Sequence, residues 1–420
     1  MRVQILLAAC VAPTAMQAQS IPMPVTGPAP ALPDFYATPP VRLTPKLRAF
    51  ADGETPIAPS GLRVTAFARG FGAALNAVPL PNGDVLVAQS GANPRGGKMR
   101  LGRGSDCIYL LRDRDGDGVA EFRSTLLSGL KAPYGMAIVR GRLYVAENDR
   151  VVSVPFLLGQ VAIPQTVPLK VHVRLPTAKG ELHLTRNLVA APDGQHLFVA
   201  IGAASDAGQR GRAIERQRAN ILELNIRSNR LRVYAAGLRN PVGMAFEPDT
   251  GMLWTAVNER NGLGDELVPD YLTSVRRGQH FGWPFAYFGA HQDARYVSKP
   301  PVSLDSVAAP DFALGGHVAA LGLAFGRGTS FPARYRNGAF VARHGSTERS
   351  ALAGYDVVFV PFNNGGATGS VEPFLTGFID GNEVRGRPRA TAVTADGSLL
   401  VVDDAGDVLW KVADARADRH

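Results

Sequence analysis

The chain has 420 residues, 45% of them hydrophobic, which is enough for a full core; its 46 glycines and 31 prolines are too many for a helical bundle and suit short strands joined by turns. The formal charge of +9 comes from dispersed arginines, with no basic run interleaved with aromatics, so nucleic-acid binding is set aside. That leaves a basic pocket for a small polyanion, or simply a basic surface.

The first 18 residues hold Arg2, an apolar run and small residues around Ala15 and Ala18, the pattern of a secretory signal cleaved near Ala18. Export to the periplasm or beyond follows. Leu7-Ala8-Ala9-Cys10 also matches the box before a lipidated cysteine, which offers a lipid anchor through Cys10 as the alternative. No later stretch reaches the roughly 18 apolar residues of a membrane helix. With the signal removed, the sequence holds no second cysteine, so no disulfide is expected and Cys107 reads as a small core residue. Residues 19–60 are rich in Pro and Ala without sustained periodicity, and read as an extended lead-in, with the fold beginning near Gly61.

From there one pattern returns six times: an apolar strand, a turn centred on Gly, and a second apolar strand. The copies are AVPLPNGDVLVA at 77, GMAIVRGRLYVA at 135, LVAAPDGQHLFVA at 188, GMAFEPDTGMLWTA at 243, GLAFGRGTSFPARYRNGAFVA at 322 and TAVTADGSLLVV at 391. Their irregular spacing suits propeller blades with unequal loops, and predicts an all-β, six-bladed β-propeller over 61–413 with a short tail at 414–420. Closure needs an N-terminal strand beside the last blade, and LRVTAFA at 62 and DVLWKV at 407 are the candidates.

Propellers bind ligands on the loops around their axis, so polar residues just outside the repeats are the candidates. Between the first two repeats, Asp113, Asp115 and Asp117 open a D-x-D-x-D-G loop with the spacing of a calcium-binding EF-hand loop. The twelfth position is Ser124 rather than Glu, so a separate Ca²⁺ site and a solvated turn both stay open. His183 precedes the third repeat and has the chemistry of a general base. Arg239 and Asn240 stand at the entrance of the fourth repeat. The loop 258–266, ending in Asp265 and Glu266, has glycines that let carbonyl oxygens turn toward a hard cation such as Ca²⁺. Arg387 and Arg389 open the sixth repeat, and two converging cations call for an anion.

In this order and these blade positions, His183 before Leu-Val and a Pro-Asp-Gly turn, Arg239-Asn240-Pro241, the loop ending Asp265-Glu266 ahead of FGWP at 281, and the Arg387/Arg389 pair resemble the motifs of the soluble sugar dehydrogenases that use pyrroloquinoline quinone (PQQ). The wording HLTRNLV, YAAGLRNPVGMAF, NERNGLGDELVPDY and FVARHGS is more similar to the L-sorbosone dehydrogenase branch. The resemblance implies oxidation of an aldose or sugar aldehyde by hydride transfer to Ca²⁺-bound PQQ, with electrons passing to an acceptor, a quinone or a cytochrome. It implies that His183 is the base, that Arg239 stabilises the reduced cofactor's oxygen, and that Asn240, Arg387 and Arg389 bind the cofactor. The backbone carbonyls of Arg260 and Asn261 fall at the family's Ca²⁺ position.

The chain departs from glucose dehydrogenase in two places. The Asp that orients the catalytic His is replaced by Ala203, so Asp206 or Glu215 would have to substitute, and activity is expected to need a higher pH. A cofactor-binding Lys is also missing after the fifth repeat. His317, Arg343, His344 and Arg349 are the available replacements, of which Arg343 and Arg349 are assigned to the cofactor. Two other classes remain to be weighed: a Ca²⁺-dependent lactonase, which would want carboxylates at the channel centre, and a propeller that binds carbohydrate or protein without chemistry.

Overall fold

The computed structural model describes residues 24–91, 106–296 and 303–416. The signal sequence and Cys10 lie outside these residues. Among the described residues no helix is long and apolar enough to cross a membrane.

Six antiparallel sheets form the blades, four of them with four strands and two, the fourth and fifth blades, with additional short strands, and each of the six sequence repeats supplies the two innermost strands of one blade. The innermost strands are Ala74–Pro79, Gly135–Val139, Arg186–Ala190, Pro241–Phe246, Ala320–Phe325 and Pro388–Val393. The sixth blade is closed by Leu62–Arg69 pairing antiparallel with Val408–Asp414, the two segments expected at the seam. Cys107 is buried at the start of the third strand of the first blade and donates its thiol to Gln89 Oε1 at 3.2 Å.

The ring of innermost strands is tight because glycine sits where backbones meet. A Cβ on Gly135 would collide with the backbone of Asn187 and Leu188 in the next blade, and one on Gly243 would lie 2.8 Å from the Leu321 carbonyl oxygen. Asparagines tie the ring across blades: Asn76 Nδ2 donates to the Tyr134 carbonyl at 3.3 Å, and Asn187 Nδ2 to the Val242 carbonyl at 2.6 Å.

Four innermost strands carry a bulge near the entrance. Leu75, Val242, Leu321 and Arg389 are each skipped in the register with the second strand. A bulge re-aims the extra side chain. Leu75, Val242 and Leu321 meet Tyr134 in a buried apolar cluster. This cluster is a floor, because Val242 and Leu321 line a large cavity at the entrance face while Tyr134 and Leu321 line a smaller channel of about 130 Å³ on the axis.

Residues 24–60 are docked on the propeller rather than extended away from it. Thr26–Gly27 pairs with Ala313 and Leu314 on the outer strand of the fourth blade, Lys46–Leu47 runs parallel to Glu383–Val384, and Ile57 bridges Thr376. The segment thus covers a sheet edge and runs from the fourth blade toward the sixth, with Arg42 at the cavity. Its backbone groups are satisfied by other segments, as in Tyr36 N to Leu263 O and Leu43 N to Thr347 O, both at 2.9 Å. A stretch without internal periodicity therefore still has a fixed course.

Candidate functional site

The cavity, about 790 Å³, lies at the entrance end of the innermost strands. His183, Arg239, Asn240, Arg387 and Arg389 all line it, together with Asn261, His317 and His344.

His183 stands in the loop leading to the third blade. Its Nδ1–H donates to the Ala203 carbonyl oxygen at 2.7 Å, which fixes the tautomer and leaves the Nε2 lone pair unprotonated. Neither Asp206 nor Glu215 orients the ring, because Glu215 accepts from Ala204 N and Ser205 Oγ, and Asp206 is spent on Arg239 and Asn261. A backbone oxygen has replaced a side-chain carboxylate. The His183 backbone is fixed as well, because its carbonyl accepts from Arg186 Nη1 at 2.9 Å and Arg218 Nη2 at 3.2 Å. These two guanidiniums share the buried Glu181, a cluster that sequence reading missed although Glu181 and Arg186 flank the His183 motif. Close approach of the third and fourth blades again depends on glycine, since a Cβ on Gly202 would collide with Asn240 Oδ1 as well as lie 2.7 Å from His183 Cβ.

Burial first, and then the positive charge of Arg239, hold the His183 ring well below the ordinary histidine range. The pH expectation from sequence therefore reverses sign. A ring that resists protonation is a neutral base down to lower pH, not only at higher pH. In the cofactor-free protein we expect His183 to titrate below the usual value of about 6.5, and Arg239→Gln to move it upward, because that change removes a cation and frees Asp206. Ring-resonance NMR checks both directions, and an unmoved titration would show that Arg239 is not the cause.

Arg239 is buried, with Nη2 on Asp206 Oδ1 at 2.6 Å and Nη1 on the carbonyl and side-chain oxygens of Asn258, each at 3.2 Å. Arg387 differs: Nε and Nη2 donate to the carbonyls of His344 and Gly345 at 3.0 and 2.8 Å, and no carboxylate pairs with its side chain among the described residues. Arg389 donates from Nη1 to Asp404 Oδ2 at 2.7 Å, and His344 Nε2–H donates to Asp404 Oδ1 at 2.8 Å. Burial and then the Arg387 charge push His344 down to about 4, and His344 with the arginines holds Asp404 below the carboxylate range against the effect of burial.

Among the described residues, three buried polar atoms of the cavity lining have no hydrogen-bond partner: Asn240 Oδ1, His317 Nδ1 and Arg389 Nε. His317 donates from Nε2–H to the Gly264 carbonyl at 2.8 Å, so its Nδ1 is a bare acceptor. Unpartnered polar atoms in a folded interior are rare and costly. Their convergence from separate blades on one cavity identifies a surface shaped for a polar ligand.

Other assignments fall elsewhere. Arg343 and Arg349 do not line the cavity. Arg343 is a fork on Asp356, at 2.7 and 2.5 Å, and Arg349 clamps Asp265 O, Gly316 O and Glu266 Oε1. The reason for the first is strand alternation: Arg343 ends the strand Gly338–Arg343 with its side chain toward the neighbouring strand, and the next residue, His344, takes the cavity side. Asp265 and Glu266 likewise face inward to structural partners, Glu266 Oε2 accepting from Val25 N of the docked N-terminal segment at 3.1 Å. The Arg260 side chain is fully buried against Glu259 and Asp293, away from the cavity. Asn261 does line it, beside Asp206, but its carbonyl already accepts from Arg295 Nη1 at 3.1 Å.

Asp113, Asp115, Asp117 and Glu121 bring ligand atoms within 4.8 Å of one another, the only such set of three or more His, Cys, Asp or Glu among the described residues. The set lies in the turn between the two outer strands of the first blade. We expect Asp115→Asn with Asp117→Asn to lower the melting temperature measured in Ca²⁺ by a few degrees, the shift that about 1 kcal/mol of lost linkage gives. Identical curves for both proteins would mean a solvated turn.

Comparison with known proteins identifies the fold and the family. A Borreliella burgdorferi protein described only as uncharacterised is 27% identical over 353 residues, covering 79% of this chain and 90% of that one. A calcium structure of a Trichoderma reesei carbohydrate-active enzyme of family AA12 superposes with a TM-score of 0.73 at 18% identity, over 89% of this chain and 99% of the other. The holo PQQ domain of pyranose dehydrogenase from Coprinopsis cinerea gives 0.69 at 17% identity, over 87% and 98%. Both confirm the propeller fold. The model of the glucose/sorbosone dehydrogenase family matches residues 166–410, more than half of the chain, and the protein belongs to that family.

Proposed function

We propose that the protein is an exported, PQQ-dependent oxidoreductase that takes a hydride from an aldose or a sugar aldehyde of the L-sorbosone type, with His183 as the general base. The observation that carries this reading is a neutral histidine, its Nδ1 committed to a carbonyl, in one cavity with Arg239, Arg387 and Arg389 and with buried polar atoms that lack partners.

The residues fit the cofactor. PQQ is a rigid tricarboxylate, and Arg387 and Arg389 supply guanidinium groups to an anion, the former with no carboxylate competing for it among the described residues. Asn240 Oδ1 and His317 Nδ1 are acceptors that await donors. For Ca²⁺, the carbonyl oxygens of Arg260 and Asn261 are hard donors, and Asn261 O keeps a second lone pair beside its bond to Arg295, with the Asp206 carboxylate alongside to offset charge. When bound, Ca²⁺-polarised PQQ supplies the electron sink for the hydride.

The chain's own residues do the rest. His183 Nε2 takes the hydroxyl proton of the carbon being oxidised, and the Ala203 carbonyl keeps the ring aimed and in the right tautomer. Arg239, fixed by Asp206 and Asn258, holds a positive charge beside the developing negative charge. The apolar floor of Leu75, Tyr134, Val242 and Leu321 separates the cavity from the axial channel. Among the described residues the one set of converging carboxylates lies in the first blade's outer turn, away from the cavity, which favours the dehydrogenase reading over a lactonase centre built on carboxylates.

Reconstitution with PQQ and Ca²⁺, followed by dye reduction across a panel of aldoses and sugar aldehydes, tests the proposal. Sugar-dependent bleaching that requires PQQ is the expected result. PQQ binding without turnover would leave a sugar-binding propeller, and failure to bind PQQ would remove the reading.

A further inference from the structure

The connection between the second and third strands of the third blade, residues 202–219, is at once cavity wall and outer rim. Its first part faces inward: Ser205, Asp206, Gln209 and Arg210 line the cavity, and Asp206 holds Arg239. Its tip faces solvent with Arg210, Arg212 and Arg216 exposed.

The charges on this loop are sorted by direction. Both of its carboxylates turn in, Asp206 onto Arg239 and Asn261, Glu215 onto Ala204 N and Ser205 Oγ. None of the three exposed arginines pairs with a carboxylate among the described residues. Arg210 is set by the carbonyls of Lys179 and Gly180, at 2.6 and 2.8 Å, and Arg212 lies 5.1 Å over the Phe285 ring. Arg212 is therefore held in place by neutral groups while its positive charge stays available. Exposed Lys179 adds to the same side. A rim of oriented cations without counter-charges is a surface of attraction for an acidic partner.

We infer that this rim docks an acidic protein that carries one electron at a time. The inference rests on the proposed dehydrogenase reading, which requires an oxidant. Oxidising one sugar carbon releases two electrons and two protons, so two carrier molecules each accept one electron in turn and the protons leave to solvent. A lipid surface fits less well, because none of the exposed large hydrophobic side chains falls on residues 202–219.

The test compares wild type with Arg212→Gln plus Arg216→Gln, neither of which lines the cavity, in the full chain loaded with PQQ and Ca²⁺. Binding of an acidic and of a basic cytochrome c is titrated at low and high salt, alongside anionic phosphatidylglycerol vesicles, and sugar turnover is followed with a small uncharged dye and with each cytochrome. We expect the acidic cytochrome to bind at low salt and weaken with added salt, the variant to bind it about tenfold more weakly, and dye turnover to be equal in the two proteins. Equal binding by wild type and variant, preference for the basic cytochrome, or binding to vesicles alone would overturn the inference. If dye turnover fails in both proteins the dehydrogenase reading falls, and the binding titration still decides the docking surface on its own.

Discussion

His183→Ala lowers sugar turnover by about two to four orders of magnitude, the range for loss of a general base, while PQQ affinity stays near wild type. The separation follows from the cavity's division of labour, since the anion-binding groups Arg387 and Arg389 belong to the sixth blade and His183 to the loop before the third. His183→Gln is the sharper variant. Its amide can still donate to the Ala203 carbonyl and keep the loop in place, but it cannot accept a proton. Single-turnover kinetics at saturating PQQ, with the cofactor's binding followed separately by absorbance, provide the check. Turnover retained in the Gln variant would remove His183 as the base and leave the cavity's two other histidines, His317 with its unpartnered Nδ1 and His344 on Asp404, as the groups to examine.

Arg387→Ala has the opposite signature: PQQ binding weakens about ten- to a hundredfold, the value of a charge-assisted hydrogen bond of roughly 1.5–3 kcal/mol, and the turnover of the fully loaded enzyme changes much less. Of Arg239, Arg387 and Arg389, Arg387 is the one without a carboxylate partner among the described residues, so an anionic ligand gains most from it. Because Nε and Nη2 also hold the carbonyls of His344 and Gly345, Arg387→Lys serves as the companion variant that keeps a charge. A titration of apo-protein with PQQ should rank wild type above Lys above Ala. Equal affinities in all three would place the cofactor's carboxylates elsewhere.

Much of this architecture was legible because the innermost hairpin of each blade carries its own local signal. A Gly-centred turn between two short apolar strands is readable without knowledge of the rest of the chain, and six copies give the blade count. His183, Arg239, Asn240, Arg387 and Arg389 were found because they sit directly outside those hairpins. What escaped depends on partners distant in sequence or on the backbone. The carbonyl of Ala203 orients His183, and a reading by side chains sees only that alanine lacks a carboxylate. Arg343 and His344 are neighbours whose side chains leave the strand on opposite sides, so one residue of phase decides which one reaches the cavity. Asp404 lies in an ordinary-looking turn and becomes the shared anchor of His344 and Arg389 only once the blades close. The N-terminal segment has no periodicity because the groups that fix it belong to other parts of the chain.

The bulges at Leu75, Val242, Leu321 and Arg389 amount to one interchangeable socket repeated around the axis. A residue in that socket is left out of its blade's ladder pairing, so its identity can drift while the sheet around it stays intact. Three sockets hold aliphatic side chains and one holds a cation. Val242, Leu321 and Arg389 also line the entrance cavity, so a single replacement at one of these three changes the chemistry a ligand meets without removing a rung of the ladder.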